Sequence, residues 1–299
     1  MRVVLSWSGG KDSAYALGRL RAQGYAVVGL LTTVTAAYDR VSIHGVRRSL
    51  LRWQADAAGL PLYEVVLPVP CPNEVYEERM GEAVMRLVAQ GVEAFAFGDL
   101  FLEDIRRYRE AQLARLRGRP TAPVQPAAEA PGPASAPPSI PAPSRPLALF
   151  PLWGESTAEL ARRMIAEGFR AVVTCVDPRQ IDPSFVGREF DEAFLADLPA
   201  SADPCGEHGE FHTFVYGGPI FEGPPSRPGA RSAAEPEAGS AAEPEAGSTS
   251  RTLTLVRGEV VERGGFWYCD WQAADSAFSA AGRQPGANTA RPPAEGRPR

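Results

Sequence analysis

"SWSGGKDSAY", residues 6–15, decides how the chain is read, because it holds the only lysine in 299 residues. The chain carries 31 basic residues, and every one except Lys11 is arginine. Arginine is a planar fork, whereas lysine is a compact charge on a thin stem, so a narrow cation is needed here. An apolar run, "VVLSW" (3–7), precedes the loop, and a helical pattern with Leu17 and Leu20 on one face follows it. Ser8-Gly9-Gly10-Lys11-Asp12-Ser13 therefore joins a strand to a helix N-terminus. Adjacent glycines let backbone N–H groups converge in a concave nest, and the helix end adds partial positive charge. Ser6, Ser8 and Ser13 add hydroxyls and Lys11 a full charge. The arrangement suits a compact anion such as a phosphate. It is neither the Walker A pattern nor G-x-G-x-x-G. The plain alternative is a tight strand-to-helix turn with Asp12 or Ser13 capping the helix.

Working outward, the same pattern repeats. "VVGLLTT" (27–33), "YEVVLP" (63–68) and "AFAFG" (94–98) are apolar runs without alternation, separated by helices predicted over 46–59, 73–90 and 103–116. Such strands belong to a parallel sheet covered on both faces, whose ligands sit at the strands' carboxyl ends. Asn73 is expected to cap its helix, and Ser156 with Glu159 forms a predicted capping box. "ALFPLW" (148–153) and "AVVTCV" (171–176) read as strands. "EFHTFVY" (210–216) alternates, and 252–271 reads as two strands around a Gly-Gly turn. The expected organisation is a nucleotide-type domain over 1–117 and a smaller α+β domain from 147–223 plus 252–272. Segments 118–146 and 224–251 and the tail 273–299 are dominated by Pro, Ala, Gly and charged residues, with "AAEPEAGS" repeated in tandem at 233–248. Such composition cannot bury enough apolar area to offset chain entropy, and excising the repeat segment is expected to leave folding intact.

A net charge of −5 and a pI near 5.4 exclude a protein whose main business is coating nucleic acid. Cys71, Cys175, Cys205 and Cys269 form no CxxC pair, which argues against zinc ribbons, iron–sulfur sites and thioredoxin-like centres and fits a reducing cytoplasm. No apolar run approaches the roughly 20 residues of a spanning helix, so no membrane association is expected.

"SGGKDS" after an N-terminal strand resembles the pyrophosphatase loop of the PP-loop ATPases, which split ATP between its α- and β-phosphates and transfer the adenylyl group. Four further stretches, 41–62, 97–110, "DPCGEHGEFHTFVYGGPIF" (203–221) and 256–271, resemble the diphthine–ammonia ligase family within that superfamily. The resemblance implies a Rossmann-like parallel α/β sheet of the HUP/PP-loop type with a second, smaller α+β domain. It implies that Ser6, Ser8, Gly9, Gly10, Lys11, Asp12 and Ser13, with Gly98 and Asp99, bind ATP, and that Mg2+ joins them at Asp12 and Asp99. It makes Lys11, Asp12, Glu207, Glu210 and His212 the candidate catalytic residues. Candidate acceptor contacts are His44, Cys205, Glu207, Glu210, His212 and Thr213. The implied partners are ATP, ammonium and, as acceptor, the diphthine of elongation factor two. No glutaminase domain is visible, so ammonium is the expected nitrogen source.

Read without the family, the same residues keep their alternatives. His44 lies at the strand-end rim, as a ligand contact or a structural imidazole. His208 and His212 have the i,i+4 spacing of a zinc helix, but Gly206 and Gly209 break helices. A substrate-contacting strand sharing Glu210, His212 and Phe214 on one face fits better than a metal site, and a solvent-facing polar edge is the plain alternative. Asp99 is a metal or ribose ligand, or a cap. Glu103 and Asp104 are structural acids at a helix start. Arg106, Arg107 and Arg109 read as a solvated face or a patch for an acidic partner. The loop is expected to be solvent-lined, so that losing Lys11 would end turnover at little cost in stability. Rival functions are adenylation of another small carboxylate or amide, and a regulatory module that binds ATP or AMP without turnover.

Overall fold

Alternate residues of the first strand decide the layering. In β1 (Arg2–Ser6), Val3, Val4 and Leu5 are all fully buried. Val3 and Leu5 pack on one side with Leu17, Leu20, Leu50 and Leu51, and Val4 packs on the other with Val84, Leu87 and Leu113. A strand apolar on both faces must be sandwiched, because successive side chains point opposite ways. The structure, a computed structural model, describes residues 1–41, 45–115, 146–221 and 251–274. Helices α1 (Lys11–Ala22) and α2 (Arg48–Ala57) cover the first face, and α3 (Asn73–Ala89) and α4 (Glu103–Arg115) the second.

The remaining strands of this sheet are β2 (Ala26–Thr35), β3 (Arg40–Val41), β4 (Leu62–Leu67), β5 (Ala94–Ala96) and β6 (Leu147–Leu149). Their order is β3-β2-β1-β5-β6, with β4 also pairing β2. Every pair is parallel except the short β2–β3 contact. This is the expected Rossmann-like α/β architecture. One boundary moves: residues 147–149, assigned from sequence to the second domain, form the last parallel strand of the first sheet, where β6 follows α4 and adds beside β5.

The second sheet is antiparallel, ordered β8-β7-β10-β9, from β7 (Arg170–Val176), β8 (Phe211–Gly217), β9 (Leu255–Arg263) and β10 (Phe266–Ala273). Gly264 and Gly265 both take positive φ, as a two-residue hairpin turn matched to the strand twist requires. Ala273, read as the start of the tail, closes β10. Helices α5 (Thr157–Ala166) and α6 (Glu192–Asp197) flank this part. One apolar cluster runs through both sheets. The Trp53 and Phe221 rings meet edge to face at 5.2 Å and Tyr15 and Phe169 at 5.3 Å.

Two caps are not made. Pro72 holds the position before α3, and Asn73 lies inside the helix, donating to Glu77 Oε1 at 3.2 Å. Ser156 precedes α5, but its hydroxyl makes no capping bond. The side chain engaged there is Thr157, whose Oγ1 donates to Asp203 Oδ2 at 2.7 Å. Among the described residues no helix is long and apolar enough to cross a membrane. Segment 118–145, nearly all of 224–251, and 275–299 lie outside the described residues.

Arg251 N donates to Phe221 O at 2.9 Å, so the chain leaves and re-enters the fold at one point. A deletion of 226–250 removes no described contact, and closure entropy changes only slowly with loop length. Its melting temperature should stay within about 2 °C of the full chain's in differential scanning calorimetry, since a segment whose composition cannot bury much apolar area adds little to the unfolding enthalpy.

Candidate active site

The loop after β1 is held from three sides. Gly9 sits at φ +81, where L side chains are strained, and a Cβ there would meet Gln54 Oε1 at 2.9 Å. Its carbonyl accepts from Gln54 Nε2 at 2.9 Å and from Val215 N of β8 at 2.9 Å. Within the loop, Ser8 Oγ accepts from Gly10 N at 3.2 Å, and Ser13 Oγ donates to Gly10 O at 2.9 Å. Lys11 N donates to Thr213 Oγ1 at 3.1 Å. Gly98 closes the other side: a Cβ there would come within 3.1 Å of the α1 backbone at Asp12 and Ser13. No side chain caps α1. Asp12 is therefore not a cap, and its Oδ1 is buried without a hydrogen-bond partner.

The facing loop, 203–210, is built by two carboxylates. Asp203 Oδ1 accepts from Cys205 N at 2.8 Å and Glu207 N at 3.3 Å. Glu210 accepts from Asp203 N at 2.7 Å through one oxygen and from His208 N at 2.9 Å through the other. Gly206, at φ +72, lies so close to Phe211 O that a Cβ would approach it to 2.7 Å. Glu210 was a candidate catalytic residue. With both oxygens on backbone amides and 1% exposure, it has the geometry of a clasp that shapes the loop.

Lys11 joins the two loops. It is 2% exposed, its Nζ donates to Asp12 Oδ2 at 2.9 Å and to the Cys205 carbonyl, and it lies 5.5 and 5.3 Å from the Phe190 and Phe211 ring centres. Burial alone would lower its pKa, but Asp12, with Glu207 near, outweighs it, so the ammonium is held above its ordinary range. The expectation of a solvent-lined lysine is corrected. The compact ammonium, on its slender stem, lies over both rings.

Between the loops lies a cavity of about 260 Å3, lined by Ser8, Gly10, Lys11, Asp12, Ser13, Gly98, Asp99, Glu207, His212 and Thr213 among others. Ser6, Ser8 and Arg109 also line a neighbouring trough of about 570 Å3 that runs over Leu31–Thr33 to Leu67 and Tyr76. Glu207 comes from the second part but accepts from Leu100 N, just past β5, at 3.2 Å. Burial, reinforced by Asp12, pushes its carboxyl up to about 7. Burial also raises the Asp99 carboxyl, against the pull of Arg109. Asp99 Oδ2 and Arg109 Nε are 3.7 Å apart, both buried without a hydrogen-bond partner.

Most of the sequence-predicted residues thus line one cavity. Cys205 contributes its carbonyl; its thiol lies against Thr157 O at 3.4 Å, and burial pushes it far above the ordinary thiol range. His208 is exposed and packs on Phe101 at 5.5 Å. Among the described residues no group of three His, Cys, Asp or Glu is placed to hold a metal; the stretch read as a strand over 210–216 forms β8 from Phe211 to Gly217. His44 lies outside the described residues. Two residues escaped the sequence reading. Arg109 is a cleft cation, whereas its neighbour Arg106 stacks on Phe150 and Trp153. Gln54 is fully buried, and a lone glutamine on an amphipathic helix gives no signal; only its position on the apolar face of α2 hinted that it turns inward.

A family model described as Diphthamide synthase N-terminal domain matches residues 1–117, and one described as Diphthamide synthase C-terminal domain matches residues 156–224. Curated relatives named Diphthine--ammonia ligase from Homo sapiens, Rattus norvegicus and Bos taurus are each 26% identical over 245 residues, covering 74% of this chain and 81% of theirs. The two matched segments carry the two loops that face each other across the cavity. The chain belongs to the diphthine–ammonia ligase family.

Proposed function

We propose that this chain is an ATP-dependent ligase that adenylates a carboxylate, the diphthine of elongation factor two, and transfers ammonia to it, releasing AMP and pyrophosphate. The observation that carries this reading is a single cavity. It sets the Gly9–Ser13 loop at a helix N-terminus against the acid and imidazole of Glu207 and His212. A carboxylate is a poor acyl donor because its oxide cannot leave. Its oxygen attacks the α-phosphorus of ATP, the bond to the β-phosphate oxygen breaks, and pyrophosphate departs. Ammonia then attacks the acyl carbon, the acyl–phosphate bond breaks, AMP leaves, and the extra proton goes to a base.

The chain's residues divide this work. The loop amides, Ser8, Ser13 and Arg109 face the phosphates, and the trough beyond Ser8 suits the nucleoside. Lys11 ties the nucleotide loop to the acceptor loop. Glu207, ionising near neutrality, is the base that takes the proton of the attacking amine, and Asp12 and Glu207 give ammonium an anionic seat. The buried oxygens without partners, Asp12 Oδ1 and Asp99 Oδ2, are hard donors that fit Mg2+. With no third protein ligand among the described residues, phosphate oxygens and water would complete its shell. When bound, Mg2+ supplies charge stabilisation to the leaving phosphate oxygens.

Nucleotide product analysis tests the reading. With Mg-ATP and ammonium, AMP and pyrophosphate should form only when diphthine-bearing elongation factor is added, and the factor should lose the mass difference between OH and NH2. AMP formed with another carboxylate alone would replace diphthine as the acceptor; tight ATP binding without any AMP would leave a sensor.

Glu207 gives a pH prediction. Its folded pKa, about 7 against an ordinary 4.5, is raised, so the folded state holds the proton longer than the unfolded chain. That contribution to stability is complete below about 4.5 and is lost as pH rises through 7. Chemical denaturation of the ligand-free protein should show a loss on the order of 1–2 kcal/mol across that window, absent in Glu207→Gln. The same variant should lose about 100-fold in kcat and the rise of rate through neutral pH. Lys11→Ala should abolish turnover and also cost about 2–3 kcal/mol, because it leaves the Asp12 carboxylate without its ion-pair partner. Lys11→Arg should restore neither activity nor melting temperature.

A further inference from the structure

Gln54 is fully buried in the middle of α2 and touches neither the cavity nor the trough. Its amide nonetheless has three well-formed partners. Nε2 donates to Gly9 O at 2.9 Å and to Val215 O at 2.6 Å, and Oε1 accepts from Trp7 Nε1 at 2.9 Å. One partner lies in the nucleotide loop, one in β8 of the second sheet, and one between Ser6 and Ser8. Both amide protons are used, so the side chain has one orientation in which it is satisfied.

The consequence lies in the peptide between Gly9 and Gly10. In a trans peptide the carbonyl of one residue and the N–H of the next point opposite ways. Two adjacent glycines offer little resistance to turning that peptide over. As it stands the Gly10 N–H points to Ser8 Oγ, which lines the cavity; turned over, the peptide would present a carbonyl dipole to that side in place of an N–H. Gln54 and Val215 both hold Gly9 O on the side away from the cavity, which Gly10 lines. We propose that Gln54 is the positioning residue of the nucleotide loop, locking the Gly9–Gly10 peptide in its anion-accepting orientation and making that orientation depend on β8. The proposal rests on the assignment of this loop to ATP phosphates.

The test compares Mg-ATP and inorganic pyrophosphate binding, by calorimetry, for the full chain, Gln54→Met, Gln54→Glu and Trp7→Phe. Gln54→Met keeps the bulk and removes both donors. It should weaken Mg-ATP and pyrophosphate alike by at least about tenfold, the scale of one or two buried hydrogen bonds, and KM for ATP should rise more than kcat falls. Gln54→Glu should weaken binding further at neutral pH, where a carboxylate faces two carbonyls, and recover part of it on acidification, because the protonated acid donates one bond again; the parent protein provides the baseline at each pH. Trp7→Phe frees the Oε1 end but also alters the trough, which Trp7 lines, so its readout is pyrophosphate, which has no nucleoside; that affinity should weaken about threefold, which keeps the question open to measurement if Gln54→Met does not fold. Variants with lowered melting temperatures but unchanged affinities would overturn the proposal and leave the ATP assignment standing. Failure of the parent protein itself to bind Mg-ATP or pyrophosphate would overturn the ATP assignment, and the role of Gln54 with it.

Discussion

The hydrogen bond from Val215 N to Gly9 O crosses from the antiparallel sheet to the loop of the parallel one. Around it the rest of the site is arranged. Thr213, two residues earlier on β8, takes the Lys11 N–H, and Gln54 closes the triangle between Gly9 and Val215. A loop rich in glycine has high conformational entropy when free, so a single loop conformation has to be fixed by contacts. Here those contacts are supplied from outside the loop. The two halves of the chain are therefore not a nucleotide domain with an appended substrate domain: the second half is part of what makes the first half's loop rigid.

Electrostatics add a second constraint. Asp12, Asp99 and Glu207 gather at a cavity whose cations, Lys11 and Arg109, are each already drawn toward a carboxylate. Carboxyls pushed upward by burial and by one another mark a place that gains free energy from an incoming cation. The Lys11 ammonium is committed to Asp12 and the Cys205 carbonyl, and Arg109 lines the same cavity. The unique lysine is explained by its corridor between Phe190 and Phe211 as much as by any phosphate.

The clasp role of Glu210 shows how residue type and residue role part company. Sequence alone places Glu210 on a strand face shared with His212 and Phe214, which suits a reacting group. The fold turns that acid inward, where its two oxygens satisfy two backbone N–H groups of a tight loop rich in glycine. Its neighbour Glu207, only three residues away, reaches the cavity because Gly206 and Gly209 at positive φ turn the chain around it.

The sequence by itself determined the parallel sheet, the glycine-rich strand-to-helix loop and the family, because each rests on local pattern: unbroken apolar strands, glycines at a helix start, and a run of matched residues. It also placed the β9–β10 hairpin through its two glycines. Tertiary structure alone decided that 147–149 belongs to the first sheet, that Lys11 is buried, that Arg109 faces the cleft while Arg106 stacks on aromatics, and that Gln54 bonds the loop at Gly9. Those outcomes depend on which surfaces meet across distances of 40 to 200 residues along the chain, as between Gln54 and Gly9 or Lys11 and Thr213. No local periodicity encodes such meetings, because a side chain's partner is set by how two sheets pack and not by the residues beside it.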